Sequence, residues 1–331
     1  MIFISGSSGL IGSYITKLLI DQGHSVRALK RPDSDLSLLG SYSDRIEWIE
    51  GDIDDVSLLK EALKNIETVI HCAAIVSYIP QDREKMYKVN VEGTANIVNA
   101  AIANNVGTFC HISSIAAIAK SGNEKIINEE FGLQELTFST HYAKSKYLAE
   151  LEVYRGKEEG LKIFIVNPSV VLGPGDWDKG STSLFKYVFK KNLFYTQGSL
   201  NYVDVRDVAQ IAHELLNTEK PINGHRFILN AGSIPYKDFF HKTGLLFQVK
   251  SPSIRASPFI SEIAWRLVYL KNLFSSRKTI ITKETVRLGK NQFFYDSGKI
   301  RSLLGFHFRS LDETLNWTCK ELVKRHKAET R

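Results

Sequence analysis

FISGSSGLIGSYI, residues 3–15, decides the fold. It continues an apolar, β-rich run that begins at Ile2, then sets Gly6, Gly9 and Gly12 at GxxGxxG spacing. Beyond them an apolar stripe runs on through Ile15, Leu18 and Leu19 at helical spacing. Glycine permits a tight turn and lets the backbone approach an anion closely, and the free N–H groups at a helix start add partial positive charge. Strand, glycine turn and helix in that order predict the first crossover of a doubly wound α/β fold with a pyrophosphate on the turn. A simple tight turn would not need three glycines at this spacing.

The same alternation runs outward to about residue 170. Short apolar runs, SVRALK, IEWIEGD, TVIHCAA, GTFCHISS and KIFIVNPS, are separated by longer amphipathic segments, which implies βαβ crossovers and a parallel sheet covered on both faces. Cys72 and Cys110 fall inside such runs and read as core residues. After Pro168 the pattern changes to a Gly-rich loop, VLGPGDWDKGSTS, then helices and brief strands. We therefore expect a Rossmann domain over residues 1–170 and a smaller mixed α+β substrate lobe over 171–331. Residues 201–230, which contain NYVDVRDVAQIAHELL, are expected to be able to return to the first domain. Residues 258–274 carry a helical apolar stripe with Arg266 and Lys271 interleaved; core or lid packing is the first reading, and peripheral membrane contact or attachment to a partner the second.

Composition narrows the function classes. The chain has 331 residues, 43% hydrophobic and 24% charged, ordinary for a globular protein. Its net charge of +7 is spread out, with no block of consecutive basic residues, so a phosphate-binding pocket is expected rather than nucleic acid. Three cysteines without CxxC spacing and nine histidines without HExxH argue against a disulfide framework and against a metal site. No apolar run is long enough to span a bilayer, and the opening strand leaves no room for a signal peptide, so the expected setting is a reducing cytoplasm.

Two further positions bear on the nucleotide. The second apolar run ends in Lys30 and Arg31 with no carboxylate before Asp33. A carboxylate there would bind a ribose 2′-hydroxyl and a cation a 2′-phosphate, so NADP(H) is favoured over NAD(H). Asp52, in EGDIDD, stands where an adenine amine would be met; the competing reading is a helix N-cap for residues 55–64.

HYAKSKYLAE, residues 141–150, places Tyr142 one helical turn before Lys146, whereas Lys144 points elsewhere. A phenol with a pKa of about 10 is roughly three units, or about 4 kcal/mol, too weak an acid for neutral pH. A neighbouring ammonium favours the phenolate and supplies the missing term. Tyr142 is thus a candidate proton donor, and Lys146 can also reach ribose hydroxyls. Ser114 ends the fifth run at the carboxyl edge of the sheet, where its hydroxyl would hold a substrate oxygen as charge develops. Asn90, in YKVNVEGTANIVNA, would bend its helix or hold a relay water, or be merely exposed.

GxxGxxG, HCAA, VNVEGT, SS, YxxxK and NPSVVLGPGD, in this order, resemble the extended short-chain dehydrogenase/reductase family over nearly the whole chain. The resemblance implies a catalytic set of Ser114, Tyr142, Lys146 and Asn90. It also implies cofactor contacts from Gly6, Gly9, Leu10, Ile11, Gly12, Arg31, Asp52, Ile53, Ala73, Ala74, Tyr142, Lys146, Pro168 and Ser169, a carboxyl-terminal lobe for a small-molecule substrate, and a homodimer through helices of the first lobe. Sugar-nucleotide epimerases of this family often carry VYG after the active-site serine; here SSIAAIAKSG is more similar to dihydroflavonol-reductase-like and 3β-hydroxysteroid-dehydrogenase-like members, as is VRALKRP. His141 stands where proline is common, to orient substrate or simply at the surface, and Ser5 stands for a frequent threonine.

The expected activity is reduction of a ketone or aldehyde to an alcohol with Tyr142 as general acid. Trp177, Phe194, Tyr195, Tyr202, Phe239 and Phe240 suggest an apolar or aromatic substrate unless they are core. Two alternatives stay open: an NAD-dependent sugar-nucleotide epimerase or dehydratase, and a non-catalytic NADP(H)-sensing protein.

Overall fold

A computed structural model describes residues 1–118, 125–130, 138–256 and 293–329. The amphipathic stretch at 258–274 lies outside the described residues.

Seven parallel strands form the main sheet in the order β11-β7-β5-β4-β1-β2-β3. They are β1 (Ile2–Ser5), β2 (Val26–Lys30), β3 (Ile46–Glu50), β4 (Thr68–His71), β5 (Thr108–Ile112), β7 (Lys162–Pro168) and β11 (His225–Leu229). Strand residues alternate between two cores, as a sheet covered on both faces requires. Ile2, Ile4, Ile70, Cys110, Phe164, Val166, Phe227 and Leu229 face the core built with α1 (Leu10–Asp21) and α7 (Val205–Leu216). Phe3, Val69, Phe109, Ile163 and Ile165 face the opposite core, built with α2 (Val56–Ala62), α4 (Gly93–Ala103) and α5 (His141–Glu158).

The direction of strand addition reverses between β1 and β4, and the crevice outside their carboxyl ends is where such sheets bind ligands. At this point the two loops touch. Gly6 has φ +72°, and a Cβ on it would lie 2.7 Å from the Ala73 nitrogen.

After β7 the chain leaves the main sheet. β8 (Val170–Leu172) and β10 (Ser199–Asp204) pair in parallel, and β12 (Gly232–Pro235) joins β10 antiparallel. Between those excursions α7 packs on α1 and β11 takes the edge beside β7. Around the three-stranded sheet stand α6 (Thr182–Phe189), α8 (Tyr236–Phe247) and, near the carboxyl end, α10 (Leu311–Glu329), which follows α9 (Gly298–Leu304). Minor strand pairs, β6 (Ile126–Ile127) with β14 (Phe294–Tyr295) and β9 (Phe194–Tyr195) with β13 (Ile254–Arg255), tie loops of the second lobe to the rest.

Most of the aromatic residues singled out as a substrate lining are core. Phe239 and Phe240 are buried, and Trp177, Tyr195 and Tyr202 pack against the same cluster. Phe194 is the exposed member, at 42%. Among the described residues no helix is long and apolar enough to cross a membrane, and no cluster of metal-ligating side chains occurs.

Candidate active site

The glycine turn is closed by its own backbone. Gly9 N–H donates to the Gly6 carbonyl at 3.0 Å, and Gly9 caps α1 without a side-chain bond. A Cβ on Gly12 would stand 2.1 Å from the Gly6 oxygen. No acid occupies the first turn of α1, so its unpaired N–H groups face the crevice without a competing negative charge. Beside them the buried Ser7 hydroxyl has no partner. This cradle has the shape and polarity for a pyrophosphate.

The other sequence-derived contacts distribute around it. Leu10 packs toward Gly173 and Gly175 of the loop after β8, and Ile11 packs on the first core. Ala73 and Ala74 follow β4 and are half-buried, Pro168 ends β7, and the buried Ser169 hydroxyl is unpartnered. Arg31 stands exposed just beyond β2, 3.5 Å from Asp33. Lys30 is engaged instead with Glu50 at 3.0 Å, so of the two cations Arg31 is the one left at the rim. Asp52 is exposed after β3 and accepts from Ile53 N–H at 2.6 Å; Ile53 is buried against Gly93. The N-cap reading belongs to another acid: Asp55 accepts from Leu58 N–H at 2.9 Å and starts α2.

Ser114 follows β5 in extended conformation, and its Oγ accepts from Ala116 N–H at 3.1 Å. Its own O–H remains free to donate, and the Ser114 hydroxyl pulls the Tyr142 phenol's pKa down. Burial is the larger influence and leaves Tyr142 above its ordinary value. Lys146, 1% exposed, turns its ammonium to the Ile112 carbonyl at 3.0 Å and to His111 Nε2 at 3.4 Å. The expectation that Lys146 by itself lowers the phenol is thus corrected: the helix puts both residues on one buried face, but the strand-5 carbonyl takes the ammonium. Burial lowers Lys146 itself to about 8.

Asn90 is neither exposed nor on regular helix. It sits in a π-helical turn, Lys88–Glu92, between α3 (Arg83–Tyr87) and α4. Its amide accepts from Ile75 N–H at 2.7 Å and donates to the Ile75 carbonyl at 3.0 Å and Ser145 Oγ at 2.9 Å. Asn90 thereby clamps the β4 loop to the helix that carries Tyr142 and Lys146. His141 lies 3.4 Å from the Tyr87 hydroxyl. Tyr78, on the β4 loop, stands edge-on to Tyr142 with ring centroids 6.0 Å apart.

Two histidines lie beneath this floor, side by side in register on β4 and β5. Thr94 donates to the Asn90 carbonyl at 2.6 Å, so its oxygen accepts from His71 Nε2–H at 2.9 Å. His71 Nδ1 must then accept from Ser5 O–H at 2.6 Å. Burial, reinforced by Lys146, pushes His71 down to about 3 and His111 well below its ordinary value. Both are neutral when folded and titrate near 6.5 when unfolded. Folding stability is therefore full above that pH and falls as pH drops through it, by roughly 2 kcal/mol per histidine between pH 7 and 5. Urea titrations across that range should show the loss, and His71→Gln should remove about half of it; a flat profile would contradict the buried-neutral assignment.

His111, Tyr78, Ser145 and Glu150 escape a reading of motifs. Glu150 left a trace, since Tyr142, Lys146 and Glu150 repeat at four-residue spacing. Ser145 lies on the same helix, three residues after Tyr142, and His111 and Tyr78 meet the site only through strand register or loop path.

Comparison with known proteins bears on this geometry. The profile of the Epimerase family, described as NAD dependent epimerase/dehydratase family, matches residues 2–232. A putative dihydroflavonol 4-reductase of Synechocystis is 28% identical over 320 residues, spanning 95% of this chain and 92% of that one. The crystal structure of gox2253 superposes with a TM-score of 0.83 at 30% identity over 98% of both chains. UDP-glucose 4-epimerase of Thermotoga maritima, with UDP-glucose, superposes with a TM-score of 0.78 at 20% identity over 98% of this chain and 99% of its own, a likeness of fold.

Proposed function

Since this chain belongs to the NAD dependent epimerase/dehydratase family, we propose that it is a reductase in which a bound nicotinamide dinucleotide, NADP(H) in preference to NAD(H), supplies hydride to a ketone or aldehyde. The observation that carries the reading is a buried Tyr142 on α5, the helix packed on the turn that Ser114 opens after β5, at the carboxyl edge of the sheet beside the glycine cradle. Ser114 holds the carbonyl oxygen and Tyr142 donates its proton to that oxygen as charge develops there. Ser114 also makes the phenol a better acid, offsetting part of the burial. Lys146, anchored on the Ile112 carbonyl, would hold ribose hydroxyls.

Gly6, Gly9, Leu10, Ile11 and Gly12 would hold the pyrophosphate, with Ala73, Ala74, Pro168 and Ser169 walling the nicotinamide end. Asp52 and Ile53 would meet the adenine. A carbonyl substrate of apolar or aromatic character fits the name of the Synechocystis relative and the Tyr78 ring beside Tyr142. A homodimer through first-lobe helices, in a reducing cytoplasm suited to three free cysteines, completes the reading.

Arg31 is the proposed partner of a 2′-phosphate. Arg31→Ala should weaken NADPH by about tenfold or more, the worth of a charge-assisted hydrogen bond, and leave NADH nearly unchanged. Paired fluorescence titrations check this, and equal losses for the two nucleotides would remove the NADP(H) preference. Turnover of a carbonyl panel, followed by nicotinamide absorbance, tests the reductase reading itself. Retained cofactor with no net NADPH consumption would favour epimerase or dehydratase chemistry.

A further inference from the structure

The face of α5 that carries Tyr142 and Lys146 continues one turn on to Glu150, which is 1% exposed. A carboxylate buried this deeply must be held by other groups. Asn167, on β7, donates its amide to Glu150 Oε1 at 2.6 Å. The same amide donates to the Ser114 carbonyl at 3.0 Å. Arg226, on β11, brings a guanidinium nitrogen to 3.6 Å from Oε2. One acid on the helix of the catalytic lysine thus touches both the strand that follows the catalytic serine's strand in the sheet and the edge strand beyond it.

We propose that Glu150 is a positioning residue for the reduction inferred above: it is the buried counter-charge of Lys146 and, through Asn167, the anchor of the backbone at Ser114. The proposal rests on the reductase reading for its role in the reaction, but the protonation of Lys146 can be followed without it.

The surroundings of Lys146 leave that task to Glu150. From β4 come His71 and, just beyond it, Cys72; from β5 come His111 and the Ile112 carbonyl; from α5 itself comes Tyr142. Burial keeps the Cys72 thiol protonated, pushed up to about 12, and keeps both imidazoles neutral. Glu150 is then the carboxylate that favours the ammonium against burial. Glu150 in turn is faced by Arg226 and by Lys146, with Tyr154 on its own helix; burial pushes its carboxyl up while hydrogen bonds and the Arg226 guanidinium pull it back. Without the acid, Lys146 would lose its proton at a lower pH and the Ser114 loop would lose a tether.

Lysine carrying ¹³C at Cε reports its own protonation by NMR, independently of substrate and cofactor. The Lys146 resonance is identified by its loss in Lys146→Met. In the wild-type protein it should titrate near 8 rather than at the ordinary 10.5. Glu150→Gln keeps the size and the acceptor for Asn167 but removes the charge, and should lower the midpoint by about half a pH unit or more. Glu150→Asp should bring it back toward the wild-type value. Arg226→Met frees the Glu150 charge from its other partner and should raise the midpoint, a check that stands even where Glu150→Gln fails to fold. An unmoved midpoint in Glu150→Gln, or a fall in Arg226→Met, overturns the proposal. Failure of the reductase reading would look different: no NADPH consumption by the wild-type protein, with the midpoint shifts intact.

Discussion

Tyr142→Phe should cut turnover by about 10²- to 10⁴-fold, the usual contribution of a positioned general acid, while cofactor affinity changes little. The two readouts separate because the ring, 8% exposed, packs through its carbon face, which phenylalanine keeps. Only the hydroxyl is lost, and Ser114 still accepts from Ala116 N–H. Unfolding midpoints should therefore stay close to wild type. A Phe variant with near-normal turnover would assign proton delivery to another group.

Gly12→Ala should have the second large effect, through geometry rather than chemistry. A methyl at this position would sit 2.1 Å from the Gly6 oxygen and 2.9 Å from the Ser7 Cα, both backbone atoms that cannot swing aside. The turn must open, which should cost about 1–3 kcal/mol of stability as an overpacked site. An opened turn no longer presents its N–H groups to one point, and nucleotide affinity should fall by about 100-fold or more, about 2.7 kcal/mol. Gly9→Ala is the control for stability: its Cβ would lie 3.4 Å from the Gly6 oxygen, ordinary contact, at a φ of −81°. Thermal melts and nucleotide titrations of the two variants check the contrast. Equal behaviour would mean that the cradle is not shaped by this close approach.

These expectations draw on the parts of the molecule that were legible before any coordinates. The turn at Gly6, Gly9 and Gly12 and the spacing of Tyr142 and Lys146 are local, so strand and helix periodicity carry them directly. The alternation Ile2–Phe3–Ile4 likewise announces two faces to cover, and the two faces are there. Long-range partners were hidden. That Lys146 reaches the Ile112 carbonyl, and that Glu150 shares Asn167 with Ser114, depends on how β5, β7 and α5 register against one another. Asn90 was visible as a residue but not as a clamp, because a π-helical turn leaves no mark in hydrophobic spacing. Three aspartates within EGDIDD offered a cap, and the one that caps, Asp55, was not the one weighed. Aromatic composition left two readings open after β7, and Phe239 and Phe240 take the core one, since composition cannot distinguish a lining from a core.

The central claim is that Ser114 and Tyr142, beside a nucleotide on the glycine turn, complete a net reduction. Its most direct test is stoichiometry: wild-type protein mixed with excess NADPH and a panel of aliphatic, aromatic and polycyclic ketones and aldehydes, with oxidised nucleotide and alcohol both counted. The account predicts one NADPH consumed and released per alcohol formed over many turnovers. Substrate returned as an isomer or dehydrated product, with the added NADPH untouched and the bound nucleotide retained, would contradict it.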